Sequence, residues 1–270
     1  MSAVTWSYLG FWAGGELVGL VSGAFILRAR RVLTPATFGA LVIAWCGLAI
    51  GARWQQRLEY LPVLTALRMS PHELFEPGTR LPLGLVTGAA LAGLWCVLFR
   101  APWRDVGDAL AVAASVLIPI GRLGCIANGC CMGAACRRFG LFCMRYSPGT
   151  EAYSAQLQQN LISPGAPLSL PAHPLPVYFA VASLLTLAVL LWLFRRGAPA
   201  GAMLATFCIL QPLSKLALEP LRAVPRPGPL MLAIPATELI VTCTVLAVML
   251  VRRGAARTES QARVAPEGSL

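Results

Sequence analysis

The stretch GRLGCIANGCCMGAAC, residues 121–136, concentrates groups able to do chemistry. Arg122 offers a planar fork of N–H donors that matches the oxygens of a phosphate. Taken alone, such an arginine is a side chain reaching an interface along its apolar stem. With Asn128, Gly129 and Gly133 close behind it, a donor and two small positions that let backbone approach a bound group, anion binding is the stronger reading. The thiols Cys125, Cys130, Cys131, Cys136 and Cys143 follow the spacing C-x4-C-C-x4-C-x6-C. That does not match the paired C-x2-4-C ligands of structural zinc sites, and the chain has only 2 histidines, so neither a metal nor an organic cofactor is expected. In an oxidising compartment disulfides are the expected use, with the pairing left open by the spacing and a reactive thiol as the lesser alternative. A second constellation lies in QPLSKLALEPLR, where Lys215 and Glu219 are four apart and share a helical face, with Arg222 three further on. An internal ion pair and direct contact with an anionic substrate suit it equally.

The elements that must position these groups are apolar. Of 270 residues, 57% are hydrophobic and 12% charged, and the mean hydropathy is +0.69. Soluble domains carry about 25% charged residues, so the solvent of this chain is a bilayer. The net charge of +11 comes from arginines clustered at the ends of apolar runs, as anionic headgroups and topology signals require. No nucleic-acid motif accompanies it, and no nucleic-acid partner is expected. A cleavable signal peptide is not expected either, because the first apolar run is too long and lacks a basic lead.

A spanning helix needs about 20 mostly apolar residues. Seven segments qualify, at roughly 4–27, 33–52, 82–99, 107–121, 175–194, 199–218 and 229–251. The fold class is therefore all-α integral membrane, with seven transmembrane helices over residues 1–252. Two long interruptions, an arm at 53–81 and a small head at 122–174, both follow even-numbered helices and share one side of the membrane. The tail 253–270 is polar and expected to be disordered and cytoplasmic. Basic residues divide evenly between the two faces, so the short loops decide, holding Arg28, Arg30 and Arg31, then Arg100 and Arg104, then Arg195 and Arg196. These loops face the cytoplasm by the positive-inside rule, and the N-terminus, arm and head face outward. Arg122 then sits where a span meets the outer interface, flanked by Gly121 and Gly124, which free the backbone to turn. The phosphate at that depth belongs to a phospholipid. In the third span Gly84, Gly88, Ala92 and Gly93 mark a close-packing face. Cys46, Cys96, Cys208 and Cys243 lie in apolar runs and read as small packing residues.

At these residues the sequence resembles the prolipoprotein diacylglyceryl transferase family. Gly121, Arg122, Gly124, Asn128, Gly129 and Gly133 fall on the family's Gly-Arg-x-Gly-Asn-Phe-x-Asn-Gly-Glu-x-x-Gly. His173, Pro174 and Tyr178 of HPLPVYF fall on His-Pro-x-Gln-Leu-Tyr-Glu. Glu219 and Arg222 fall on Arg-x-x-x-Glu-x-x-Arg, with Lys215 in place of the first arginine. Further departures are Cys125 for asparagine, Cys130 for glutamate, Pro176 and Phe179 for the glutamine and glutamate of the second motif, and no His-Gly-Gly in the third span.

The resemblance implies a multi-pass protein of the bacterial plasma (inner) membrane that moves a diacylglyceryl group from phosphatidylglycerol to the lipobox cysteine of a preprolipoprotein. Its partners are then phosphatidylglycerol, the preprolipoprotein signal peptide and membrane lipids. Catalysis would rest on Arg122, Arg222 and His173, the last either deprotonating the incoming thiol or capping the fifth span. Asn128, Gly133, Tyr178, Lys215 and Glu219 would bind substrate. Two alternatives remain open: a catalytically impaired relative that binds lipid or lipoprotein, and a thiol-redox membrane protein built on the cysteines, which has no C-x-x-C motif to support it.

Overall fold

A computed structural model describes residues 3–60, 81–136, 143–222 and 233–244. Their regular structure is helical: α1 (Ala3–Ala29), α2 (Pro35–Tyr60), α3 (Leu81–Leu98), α4 (Trp103–Ala127), α5 (Glu151–Gln158), α6 (Leu175–Arg195), α7 (Ala202–Leu218) with a 3-10 turn at Glu219–Leu221, and α8 (Ala233–Thr244). Among the described residues only isolated antiparallel bridges stand in for strands. Six helices, all but α5 and α8, are long and apolar enough to cross a membrane, and the protein is a multi-pass membrane protein. The short apolar helix α8 falls within the expected seventh span, whose remainder lies outside the described residues, as do the tail 253–270 and the arm beyond Tyr60.

Helix α4 is the centre. It packs along α1 on one side and against α6 and α7 on the other, while α2 and α3 form a second close pair. Its middle is rich in alanine, and Ala109, Ala111, Ala113 and Ala114 are all buried, so neighbouring helices approach its backbone. In hydrocarbon, helix association rests on such close packing rather than on hydrophobic expulsion. Large apolar side chains such as Leu17, Phe25, Val97 and Leu185 point outward at 63–75% exposure, as a lipid-facing surface requires.

The α2–α3 pair shows why the third span carries small residues. A Cβ at Gly84 would lie 2.7 Å from the Leu48 carbonyl oxygen, and one at Gly88 2.6 Å from that of Ala44. Thr87 then donates its hydroxyl across the gap to the Gly47 carbonyl at 2.7 Å. At the foot of this pair the buried Gln55 accepts from the Leu83 amide at 2.8 Å.

Two spans are longer than the sequence reading expects. α2 runs on to Tyr60, and α4 covers Trp103–Ala127 rather than 107–121. Pro119 lies inside α4, and Gly121 and Gly124 stay helical instead of turning the chain. Their smallness serves packing: a Cβ on Gly121 would lie 3.0 Å from the Trp12 ring. At the opposite end of α4, Arg30 forms ion pairs of 2.9 Å with both Asp105 and Asp108. Asp108 is fully buried and accepts from the Gly201 and Leu204 amides at 2.9 and 2.7 Å. These are orphan N–H groups at the start of α7, where a carboxylate is favoured. The sequence reading treated Arg30 as a topology signal alone and missed this clamp.

Candidate functional site

The chain reverses at the C-terminal end of α4 through a Schellman turn. The Cys130 amide donates to the Cys125 carbonyl at 3.1 Å and the Gly129 amide to that of Ile126 at 3.1 Å. This motif needs a left-handed residue at the position after the cap, and Gly129 supplies it with φ 59°. Asn128 is the cap itself. The turn carries the chain back over the helix end into the insertion, whose apolar centre is Met132, Tyr146, Ala152 and Ala172. Burial raises the Tyr146 phenol above its ordinary range. Thr150 caps α5 by accepting from the Tyr153 amide, and a Cys136–Cys143 disulfide closes the loop. The remaining cysteines of the cluster, Cys125, Cys130 and Cys131, are thiols. Hydrogen bonds to Cys125 and Cys131, with burial, raise the Cys130 thiol above its usual range.

Gly133 is where three sequence motifs meet. Its amide donates to the His173 carbonyl at 2.8 Å, the next amide, Ala134, donates to the Leu221 carbonyl at 2.7 Å, and the His173 amide donates back to Ala134 at 3.1 Å. An antiparallel bridge pairs Gly133 with Arg222. A Cβ at residue 133 would lie 2.7 Å from the His173 Cβ and 2.9 Å from the Leu221 carbonyl oxygen. The backbone of the first motif thus threads between the second and the third, and glycine is the residue that fits.

Beneath this crossing lies a cluster of cations. Arg222 donates its Nε to Glu219 at 2.6 Å, and Lys215 pairs with the other oxygen of the same carboxylate. All three side chains are no more than 13% exposed. Arg122 comes from α4 to stack its guanidinium 4.7 Å from the centre of the Phe179 ring, and the Lys215 ammonium lies 5.1 Å from the same centre. Arg122, Lys215, Phe179 and Cys131 line one narrow cavity of about 70 Å³, with Trp12, Gln211 and Glu238. An apolar cavity of about 330 Å³ adjoins it and shares Leu85 and Glu238 in its wall, extending between α2, α3, α4 and α7. A fixed positive charge beside an apolar hollow suits an amphiphile with an anionic headgroup.

The structure thus brings Arg122, Lys215, Glu219 and Arg222 together and leaves other expected residues at the margin. His173 and Tyr178 pair with each other, Nδ1 to hydroxyl at 3.1 Å, but neither lines the cation-bearing cavity. His173 does not cap α6 through its side chain, because Pro174 holds the cap position. Tyr178 borders a separate groove between α6 and α7 with Val181 and Leu218. Asn128 is also outside the cavity wall. Sequence reasoning missed Gln211 and Glu238. The Gln211 Oε1 is buried with no hydrogen-bond partner among the described residues, and its place one helical turn before Lys215 was the available signal. Of the cysteines read as packing residues, Cys96 is buried, whereas Cys46 and Cys243 are exposed on the outer helix surface.

The family model described as prolipoprotein diacylglyceryl transferase matches residues 8–256. The phosphatidylglycerol–prolipoprotein diacylglyceryl transferase of Rhodopirellula baltica (strain DSM 10527 / NCIMB 13988 / SH1) is 35% identical over 72 residues, which is 27% of this chain. The match spans 13% of that relative's own length.

Proposed function

The chain belongs to the prolipoprotein diacylglyceryl transferase family, and on that premise we propose that it transfers the diacylglyceryl group of phosphatidylglycerol to the lipobox cysteine of a preprolipoprotein. In this reaction the lipobox thiol gives up its proton and its sulfur bonds to the glycerol carbon that bears the phosphate. The carbon–oxygen bond to that phosphate breaks, and glycerol phosphate leaves with the electron pair. Arg122 holds the phosphate and stabilises the charge that develops on it, a role in which fixed donors act most strongly away from water. Lys215 and Arg222 add positive potential, with Glu219 holding both in place. His173, oriented by Tyr178, takes the thiol proton at the junction of the insertion with the membrane part. The apolar cavity receives acyl chain. Asn128 and Gly133 serve by capping α4 and joining the three motifs, which positions the groups that touch substrate. The N-terminus and the insertion face outward and the C-terminus faces the cytoplasm of a bacterium, in its inner membrane.

The observation that carries this reading is the cavity that Arg122 and Lys215 share, both close to the Phe179 ring, beside an apolar hollow. The test is transfer in vesicles of labelled phosphatidylglycerol to a lipobox peptide. Wild type transfers label and Arg122→Ala does not. A wild-type protein that stays inactive where an authentic family member works overturns the assignment. A second reading, a relative that binds lipid without transfer, draws on Phe179, which occupies the face of Arg122 where the resembled motif has a glutamate. Rescue of a strain lacking its own transferase separates the two.

A further inference from the structure

Cys125, Cys130 and Cys131 take no part in the reaction just proposed, yet their sulfur atoms all lie within 4.8 Å of one another. The backbone explains the meeting. A Schellman turn brings the side chains of its first and sixth residues into contact, usually as an apolar pair. Here those residues are Cys125 and Cys130. Cys131 adds a third sulfur from a left-handed backbone, φ 60°, a conformation that is strained for a residue with a Cβ. Such strain persists where the surroundings over-determine it, commonly at ligand-binding positions. Cys125 and Cys130 are 3% and 7% exposed and lie against Trp12. Cys131 and Cys125 open onto the cavity that also holds Arg122, which gives an ion an entry path and gives thiolates a neighbouring positive charge.

We propose that Cys125, Cys130 and Cys131 form a trigonal thiolate site for one soft d10 cation, with Cu(I) as the ion it fits. Clustered thiolates select Cu(I), zinc or iron–sulfur centres. Structural zinc takes four ligands, whereas no fourth histidine, cysteine or carboxylate joins this group among the described residues. Three sulfurs at about 2.3 Å from a central ion stand about 4.0 Å apart, so the cluster needs to contract by less than about 1 Å. The spacing C-x4-C-C resembles no zinc pair because the reversal at Gly129, not a C-x-x-C knuckle, brings the sulfurs together. Binding releases three thiol protons and transfers no electron, since the copper enters and stays as Cu(I).

The test uses the full chain in detergent under reductant, titrated with Cu(I) against the chromophoric chelator bicinchoninate. One Cu(I) per chain is expected, with three sulfur neighbours by X-ray absorption on the wild-type protein. Cys131→Ser, the change at the least buried of the three, weakens retention by at least about tenfold. The Cys125→Ser/Cys130→Ser/Cys131→Ser variant, monodisperse on size exclusion, retains none, while Cys46, Cys96, Cys208 and Cys243 remain as internal controls. Equal retention by wild type and the triple variant overturns the site, as does thiol counting that finds a disulfide among the three. Preferential retention of Zn(II) with an added oxygen neighbour overturns the assignment to copper. None of these readouts depends on transferase activity.

Discussion

Arg122 holds its guanidinium carbon 4.7 Å from the centre of the Phe179 ring. The stack fixes a cation from α4 against a ring from α6 in the wall of the narrow cavity that adjoins the apolar one. In the proposed reaction an arginine so placed would meet a headgroup phosphate with its donors already oriented. Arg122→Ala is expected to lower kcat/KM for vesicle transfer by about 10²–10³, the usual loss for a donor aimed at developing charge. Arg122→Lys keeps the charge without the fork and should fall between wild type and alanine. Equal activity of wild type and Arg122→Ala would remove this residue from the mechanism.

Glu219 stands between two cations, accepting from Arg222 and pairing with Lys215. Glu219→Gln leaves both buried without a counter-charge and should destabilise the protein by about 3 kcal/mol or more. Thermal unfolding in detergent reads this. The double variant Lys215→Met/Glu219→Leu should recover part of the loss, because it removes two of the three buried charges together. A Glu219→Gln melt that overlays wild type would show that the triad contributes nothing to folding.

Gly133 has no room for a methyl group, with the His173 Cβ at 2.7 Å from where it would stand. Gly133→Ala must therefore open the crossing of the three motifs, at a cost of about 1–3 kcal/mol. Limited proteolysis of the insertion and the melting temperature both report it. Gly93, whose added Cβ would meet nothing within 4 Å, is the control: Gly93→Ala is expected to be neutral or slightly stabilising in a helix interior.

Asp108 acts at the end of α4 remote from Arg122. It is fully buried, paired with Arg30 at 2.9 Å and bonded to two amides at the start of α7. Asp108→Asn takes one of two carboxylates from the half-buried Arg30, which keeps Asp105, and turns a donor toward one of the α7 amides, so it should destabilise by about 1–3 kcal/mol. Because the proposed headgroup site lies at the other end, KM for lipid should hold while the melting temperature falls. A change in KM without a change in melting would contradict this division.

Much of the architecture was legible in the residues themselves. A bilayer accepts only segments whose backbone groups satisfy one another, so runs of about 20 apolar residues mark spans with little ambiguity. The extent of α4 was not legible, because Gly121, Arg122 and Gly124 read locally as a stop. Only the packing of Trp12 on Gly121 and the reversal at Gly129 show that the helix continues to Ala127.

What the sequence by itself determined is the membrane class, the places of six apolar helices and the motif residues, since hydropathy and residue type are local properties. What only the tertiary structure decided is which of these residues meet. The meeting of Gly133 with His173 and Leu221, the sharing of Phe179 by Arg122 and Lys215, and the capping of α7 by Asp108 join residues distant along the chain. Such contacts are set by how neighbouring helices approach one another and where a loop backbone finds its hydrogen-bond partners. A hydrophobic period reports that a face is buried, but it carries no information about what buries it.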